Sequence, residues 1–126
     1  QIRTEYCSTL STGSGITLWA IFSKGNEDID IRNPMRIGAD TLGERGKKAE
    51  EVGKEAADKL ILEIESGGAV DSHLADNLIP ILAVFGGKIK VSSISDHTLT
   101  NIYVCEKFFD KKFTVDKKEN IISCDK

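Results

Sequence analysis

A chain of 126 residues, 40% hydrophobic and 29% charged, has the balance of a soluble globular protein with one domain or parts of two. A net charge of −3 gives no basic footprint; this excludes wrapping of duplex nucleic acid and leaves room for contact with a single phosphate or RNA end. Three scattered cysteines, Cys7, Cys105 and Cys124, without C-x-x-C spacing, exclude a disulfide framework and a cysteine-based zinc site.

In chain order, Ser11 to Gly15 is a turn cluster. Ile16 to Phe22 is a predicted strand, with Ile16, Leu18, Ala20 and Phe22 on one face. Lys24 to Asn33 is a charged loop, Met35 to Ala39 a second short strand, and Thr41 to Lys48 a glycine-punctuated loop. A helix follows, with Val52, Ala56, Leu60 and Ile64 at four-residue spacing, Ala57 and Ile61 beside them, and Glu50 and Glu51 in the first turn. Gly67-Gly68 ends it and marks an internal boundary, giving units 1–67 and 68–126.

Asp71 or Ser72 caps a second helix, His73 to Phe85, whose expected buried stripe is Leu74, Leu78, Ile81, Leu82 and Phe85. Gly86-Gly87 stops it, and Lys88 to Ile94 alternates like a strand. Thr98 or Thr100 caps a third helix running through Phe108. Phe113 to Asp116 and Ile121 to Cys124 complete the chain as a β-hairpin. The fold class is α+β, with helices layered on small sheets. No apolar run approaches the ~20 residues of a membrane span, and no signal peptide is visible. Unpaired thiols fit a cytoplasmic protein. The absence of an initiating methionine before Gln1 reads as a piece of a longer polypeptide.

Two positions carry chemistry. His97 follows a β-like run and opens a helical pattern. An imidazole at a helix N-terminus meets the positive end of the macrodipole, which favours the neutral ring with a free lone pair. The same end attracts phosphate oxygens. A histidine beside threonines is more often a packing or capping residue, so His97 gains weight only from its surroundings. His73, Asp76, Asn77 and Pro80 fall at i, i+3, i+4 and i+7, on one face of the second helix. They offer a flat ring, a carboxylate and a two-way amide, a set suited to a base or sugar; a solvated helix face is the commoner origin of such a stripe. Pro80 costs ~3 kcal/mol in an ordinary helix interior, which marks the position as special. His73, His97 and the scattered acids form no recognisable metal cluster, and Thr41 to Lys48 lacks the spacing of a P-loop.

Three blocks then align together. They are Gly38-Ala-Asp-Thr-Leu-Gly-Glu-Arg-Gly-Lys-Lys-Ala-Glu-Glu-Val-Gly-Lys-Glu-Ala-Ala57, Ser66-Gly-Gly-Ala-Val-Asp-Ser-His-Leu-Ala-Asp-Asn-Leu-Ile-Pro80 and His97-Thr-Leu-Thr-Asn-Ile-Tyr-Val-Cys-Glu-Lys-Phe108. In this order they resemble RNA 3′-terminal phosphate cyclases, over the C-terminal third or so of a family member. The resemblance implies a βαβαββ-type unit of the cyclase and enolpyruvyl-transferase-like fold, with part of a small inserted α/β domain. Residues 1–67 would close the insert and residues 68–126 the catalytic domain.

The implied function is ATP-dependent conversion of an RNA 3′-phosphate to a 2′,3′-cyclic phosphate, through a covalent histidine–AMP and an RNA-adenylate. The nucleophile falls on His97 and the adenine-side contacts on His73, Asp76 and Asn77. Asn77 stands where members commonly carry glutamine; the amide is kept and its reach shortened by one methylene. The partners implied are ATP, an RNA 3′-phosphate end and the rest of the polypeptide, with a divalent ion, Mg2+ or Mn2+, held outside this chain. Residues 1–126 alone would therefore be inactive. The alternative is a non-catalytic cyclase-like protein of ribosome biogenesis; such relatives lack the histidine.

Overall fold

A computed structural model describes residues 1–125 other than 24, 26, 27, 31 and 33. The charged loop expected between Lys24 and Asn33 thus lies partly outside the described residues. Strand β1 (Gly15–Phe22) alternates shielded and exposed residues as the period-two pattern requires, with Ile16, Leu18, Ala20 and Phe22 inward. It pairs antiparallel with β2 (Met35–Leu42), from Gly15 opposite Leu42 to Phe22 opposite Met35. β2 runs three residues beyond the expected Ala39, because Asp40, Thr41 and Leu42 complete the ladder against Thr17, Ile16 and Gly15.

Helix α1 (Ala49–Glu65) lies on this hairpin and buries Val52 and Ala56; Ile37 and Ala39 of β2 are buried with them. A two-stranded sheet is marginal alone, and the apolar side of α1 is what covers it.

Gly67 takes a positive φ of 65° and reverses the chain after α1. Gly68 serves a different need. A Cβ there would lie 2.4 Å from the Ser92 nitrogen and 2.7 Å from the Val91 carbonyl carbon. The segment after it pairs in parallel with the chain leaving β3 (Gly87–Lys90): the Ala69 amide donates to the Lys90 carbonyl (2.9 Å) and the Ser92 amide to Val70 (3.0 Å). The strand expected to reach Ile94 ends at Lys90 with a bridge at Val91; Ser92 keeps its one bond to Val70, and Ser93 and Ile94 lie outside the sheet.

Helix α2 (Ser72–Phe85) is capped by Asp71, whose Oδ1 accepts from the Leu74 amide at 2.8 Å. Helix α3 (Asp96–Phe109) precedes β4 (Phe113–Asp116) and β5 (Ile121–Cys124). The second sheet has the order β3-β5-β4, antiparallel throughout. Ala75, Ile79, Leu82 and Ala83 of α2 pack with Val91, Ile102, Cys105, Ile122 and Cys124 into one core. The buried stripe of α2 therefore differs from expectation. Leu82 is buried, while Leu74, Ile81 and Phe85 are exposed and Leu78 half-buried. The reason is steric: α2 is apolar on two sides, and its small alanines face inward, where a small side chain lets α3 and the sheet approach closely.

Candidate functional site

The cap of α3 is Ser95, three residues earlier than the nearer expected threonine. Its backbone is extended, its hydroxyl accepts from the Thr98 amide at 3.0 Å, and its carbonyl accepts from Leu99 at 3.1 Å. This moves His97 inside the first turn, as the second helical residue. It is exposed to solvent, whereas Thr98 beside it is fully buried.

Asp76 of α2 reaches this turn. Its Oδ1 accepts from the Ser95 hydroxyl at 3.1 Å and, closer still, from the Thr98 hydroxyl. Its backbone carbonyl accepts from Asn101 Nδ2 at 3.2 Å. Asp76 is half-buried, and its contacts bind α2 to the helix end that carries His97.

The other stripe residues diverge. Asn77 turns its amide back onto its own helix, donating to the His73 carbonyl at 2.9 Å, and remains exposed. His73 leans toward β2, with Nε2 3.9 Å from Asp40 Oδ1, across an exposed pair worth little in water. Pro80 is exposed. Of the four, Asp76 alone bonds to the His97 turn; Ser95 and Asn101 are partners that the sequence pattern did not point to, and Thr98, expected as a cap, instead donates its amide to Ser95 and its hydroxyl to Asp76.

A crevice of about 400 Å³ opens beside His73. Asp40, Lys59, Glu63, Ser72, His73 and Ser92 are among its lining residues, and His97 is not. Ser72 donates to Glu63 Oε1 at 2.9 Å, while Glu63 Oε2 and Ser92 Oγ are buried without a protein partner. Among the described residues no three His, Cys, Asp or Glu side chains are grouped to hold a metal ion. No helix among them is long and apolar enough to cross a membrane.

Comparison with known proteins bears on this geometry. The family model described as RNA 3′-terminal phosphate cyclase matches residues 4–115. Curated proteins of the same name are similar: that of Thermococcus kodakarensis is 47% identical over 116 residues, which is 92% of this chain and 31% of the relative. That of Pyrococcus furiosus is 44% identical over 115 residues, 91% of this chain and 31% of the relative. That of Methanosarcina barkeri is 46% identical over 121 residues, 95% and 32% respectively. The chain spans about a third of the length of these relatives.

Proposed function

The chain belongs to the RNA 3′-terminal phosphate cyclase family, and from that membership we propose that it supplies the nucleophile for ATP-dependent cyclisation of RNA 3′-phosphate ends. The observation that carries this reading is His97, exposed in the first turn of α3 within a block that resembles the family's.

The imidazole nitrogen attacks the α-phosphorus of ATP. A nitrogen–phosphorus bond forms, the bond from the α-phosphorus to the bridging oxygen breaks, and pyrophosphate leaves with that electron pair. An oxygen of the RNA 3′-phosphate then takes the AMP from His97. The neighbouring 2′-hydroxyl attacks the activated phosphorus, releases its proton, and AMP departs as the ring closes. The positive end of α3 favours phosphate charge beside His97.

His73 and Asn77, both exposed, offer a ring face and an amide to the adenine side. Asp76 joins them only through the oxygen that Ser95 and Thr98 do not use. Among the described residues no three carboxylate, imidazole or thiol side chains are grouped as a cation site; Mg2+ or Mn2+ is proposed to bind through groups outside this chain. A cytoplasmic location belongs to the same proposal, as does the division into an insert segment, 1–67, and a catalytic segment, 68–126. The division is supported by α1 packing on β1 and β2 while the α2–α3 core draws on residues 75–124.

The test is incubation of the complete polypeptide with ATP labelled at the α-phosphate. Covalent label should appear on the peptide containing His97 and vanish in His97→Ala, whose stability should stay within about 1 kcal/mol of the parent, as for most exposed side chains. Label retained by the variant would remove His97 from the mechanism. An unlabelled parent would favour the non-catalytic reading.

A further inference from the structure

Pro80 has no N–H, so the carbonyl four residues before it, that of Asp76, lacks its regular helical donor. The side-chain amide of Asn101 fills that place from α3, at 3.2 Å. The same Asp76 holds Ser95 and Thr98 through its carboxylate. Asp76 is thus gripped from the first turn of α3 by two hydroxyls and from the second turn by an amide, and His97 sits between the capping Ser95 and Thr98.

We propose that Pro80 and Asn101 form one half of a two-point clamp on Asp76, and that Asn101 is a positioning residue for the His97 nucleophile. The carboxylate contacts fix one point at the N-terminus of α3, while Ile102 and Cys105 pack its inner face into the core. The amide contact, one turn further on, adds a second directional bond that sets the orientation of the first turn relative to α2. Proline makes the arrangement selective: it leaves the Asp76 carbonyl vacant for Asn101, where an ordinary residue would satisfy the carbonyl inside α2. The unusual proline and the asparagine are therefore parts of a single device, which orients the imaginary line along which His97 approaches the α-phosphorus. This inference rests on the proposed nucleophilic role of His97.

The test uses the complete polypeptide and three variants: Asn101→Ala, Pro80→Ala and the pair combined. In Asn101→Ala the single-turnover rate of AMP attachment at saturating ATP should fall by about tenfold to a hundredfold, the range expected when a reacting group is misplaced by about 1 Å. The ATP concentration for half-maximal rate should change much less, because the Asn101 amide is spent on the Asp76 carbonyl. Stability should also drop, since a half-buried acceptor loses its donor.

The combined variant separates positioning from simple hydrogen-bond satisfaction. Alanine at 80 restores an N–H that can serve the Asp76 carbonyl within α2. Stability should then largely recover while the rate stays low, because the second directional bond between α2 and α3 is still missing. A rate that recovers along with stability, or an Asn101→Ala rate within about twofold of the parent, overturns the positioning role. A parent that forms no AMP adduct refutes the functional reading instead. The clamp is then judged by stability alone: Pro80→Ala must offset most of the loss caused by Asn101→Ala, and failure to do so overturns it.

Discussion

The approach of Gly68 to the 90–92 backbone makes a sharp prediction, because one chemical change should have opposite effects at two glycines. Substituting alanine at Gly68 places a Cβ 2.4 Å from Ser92 N, 2.7 Å from Val91 C and 2.8 Å from Ser92 Cα. All three are backbone atoms, so no side chain can swing aside. The 68–70 segment must move away from 90–92. Overpacking of this kind costs about 1–3 kcal/mol. The movement also strains the bonds from Ala69 N to Lys90 O and from Ser92 N to Val70 O, each worth about 0.5–1.5 kcal/mol. If both are lost the total is about 2–6 kcal/mol, a large part of the ~5–15 kcal/mol stability of an ordinary domain.

Gly53 is the control. It lies within α1, and a Cβ there meets nothing within 4 Å. Alanine should stabilise by about 0.5–1 kcal/mol through helix propensity. Urea unfolding followed by circular dichroism measures both. With a slope of about 1–2 kcal/mol/M, Gly68→Ala should lower the midpoint by about 1 M or more, and Gly53→Ala should raise it by a fraction of that. Equal shifts, or a Gly68→Ala midpoint within error of the parent, would mean that the two segments do not approach as described.

Glu106 gives a pH-dependent prediction. The Phe113 backbone N–H donates to its Oε1 at 2.9 Å, and Lys112 lies beside it, so its carboxyl is held below the ordinary value of 4.5. A lowered carboxyl contributes stability that is present above the unfolded value and lost as pH falls through the folded one. Glu106→Gln should therefore unfold more easily than the parent at neutral pH, and the two urea midpoints should converge as pH falls below 4.5. A gap that persists unchanged into acid would refute the assignment. Thiol labelling supplies the last test. Cys7 is exposed, whereas Cys105 and Cys124 are buried, and burial, with Cys124 nearby, pushes the Cys105 thiol up. Iodoacetamide should modify Cys7 under native conditions and the other two only in denaturant, since thiolate and access are both required. Early modification of Cys105 would contradict its place in the core.

The elements most legible in the sequence are those whose pattern admits one solution. β1 alternates cleanly, so its inward face is fixed by the pleat; β4 alternates likewise, and it and the short β5 bracket Lys117 to Asn120, and only a hairpin joins strands that close. α2 has apolar residues on two sides, and the choice between the Leu74 side and the Ala75 side depends on which neighbour packs there, a fact that lies outside the helix. The α3 cap shows a similar ambiguity. Ser95, Thr98 and Thr100 are all competent caps; Ser95 takes the role, and Asp76, 19 residues before it, holds the hydroxyls of both Ser95 and Thr98. Within the candidate site, His97 and Asp76 were visible as residue types in a pattern. Asn101 was not, because a proline announces an orphaned carbonyl without naming the donor that will fill it.

That orphaned carbonyl also shapes how the chain folds. An ordinary residue at position 80 would close its bond across four residues, within a single helical turn and early in folding. Here the equivalent bond spans 25 residues. It forms only after β3 and the first turns of α3 have been brought back across α2, when most of the loop-closure entropy has already been spent. α2 cannot complete its own hydrogen-bond ladder as a local event, so its midsection and α3 become ordered in one cooperative step. The proline thus raises contact order at a single point and couples two helices that would otherwise be free to form separately.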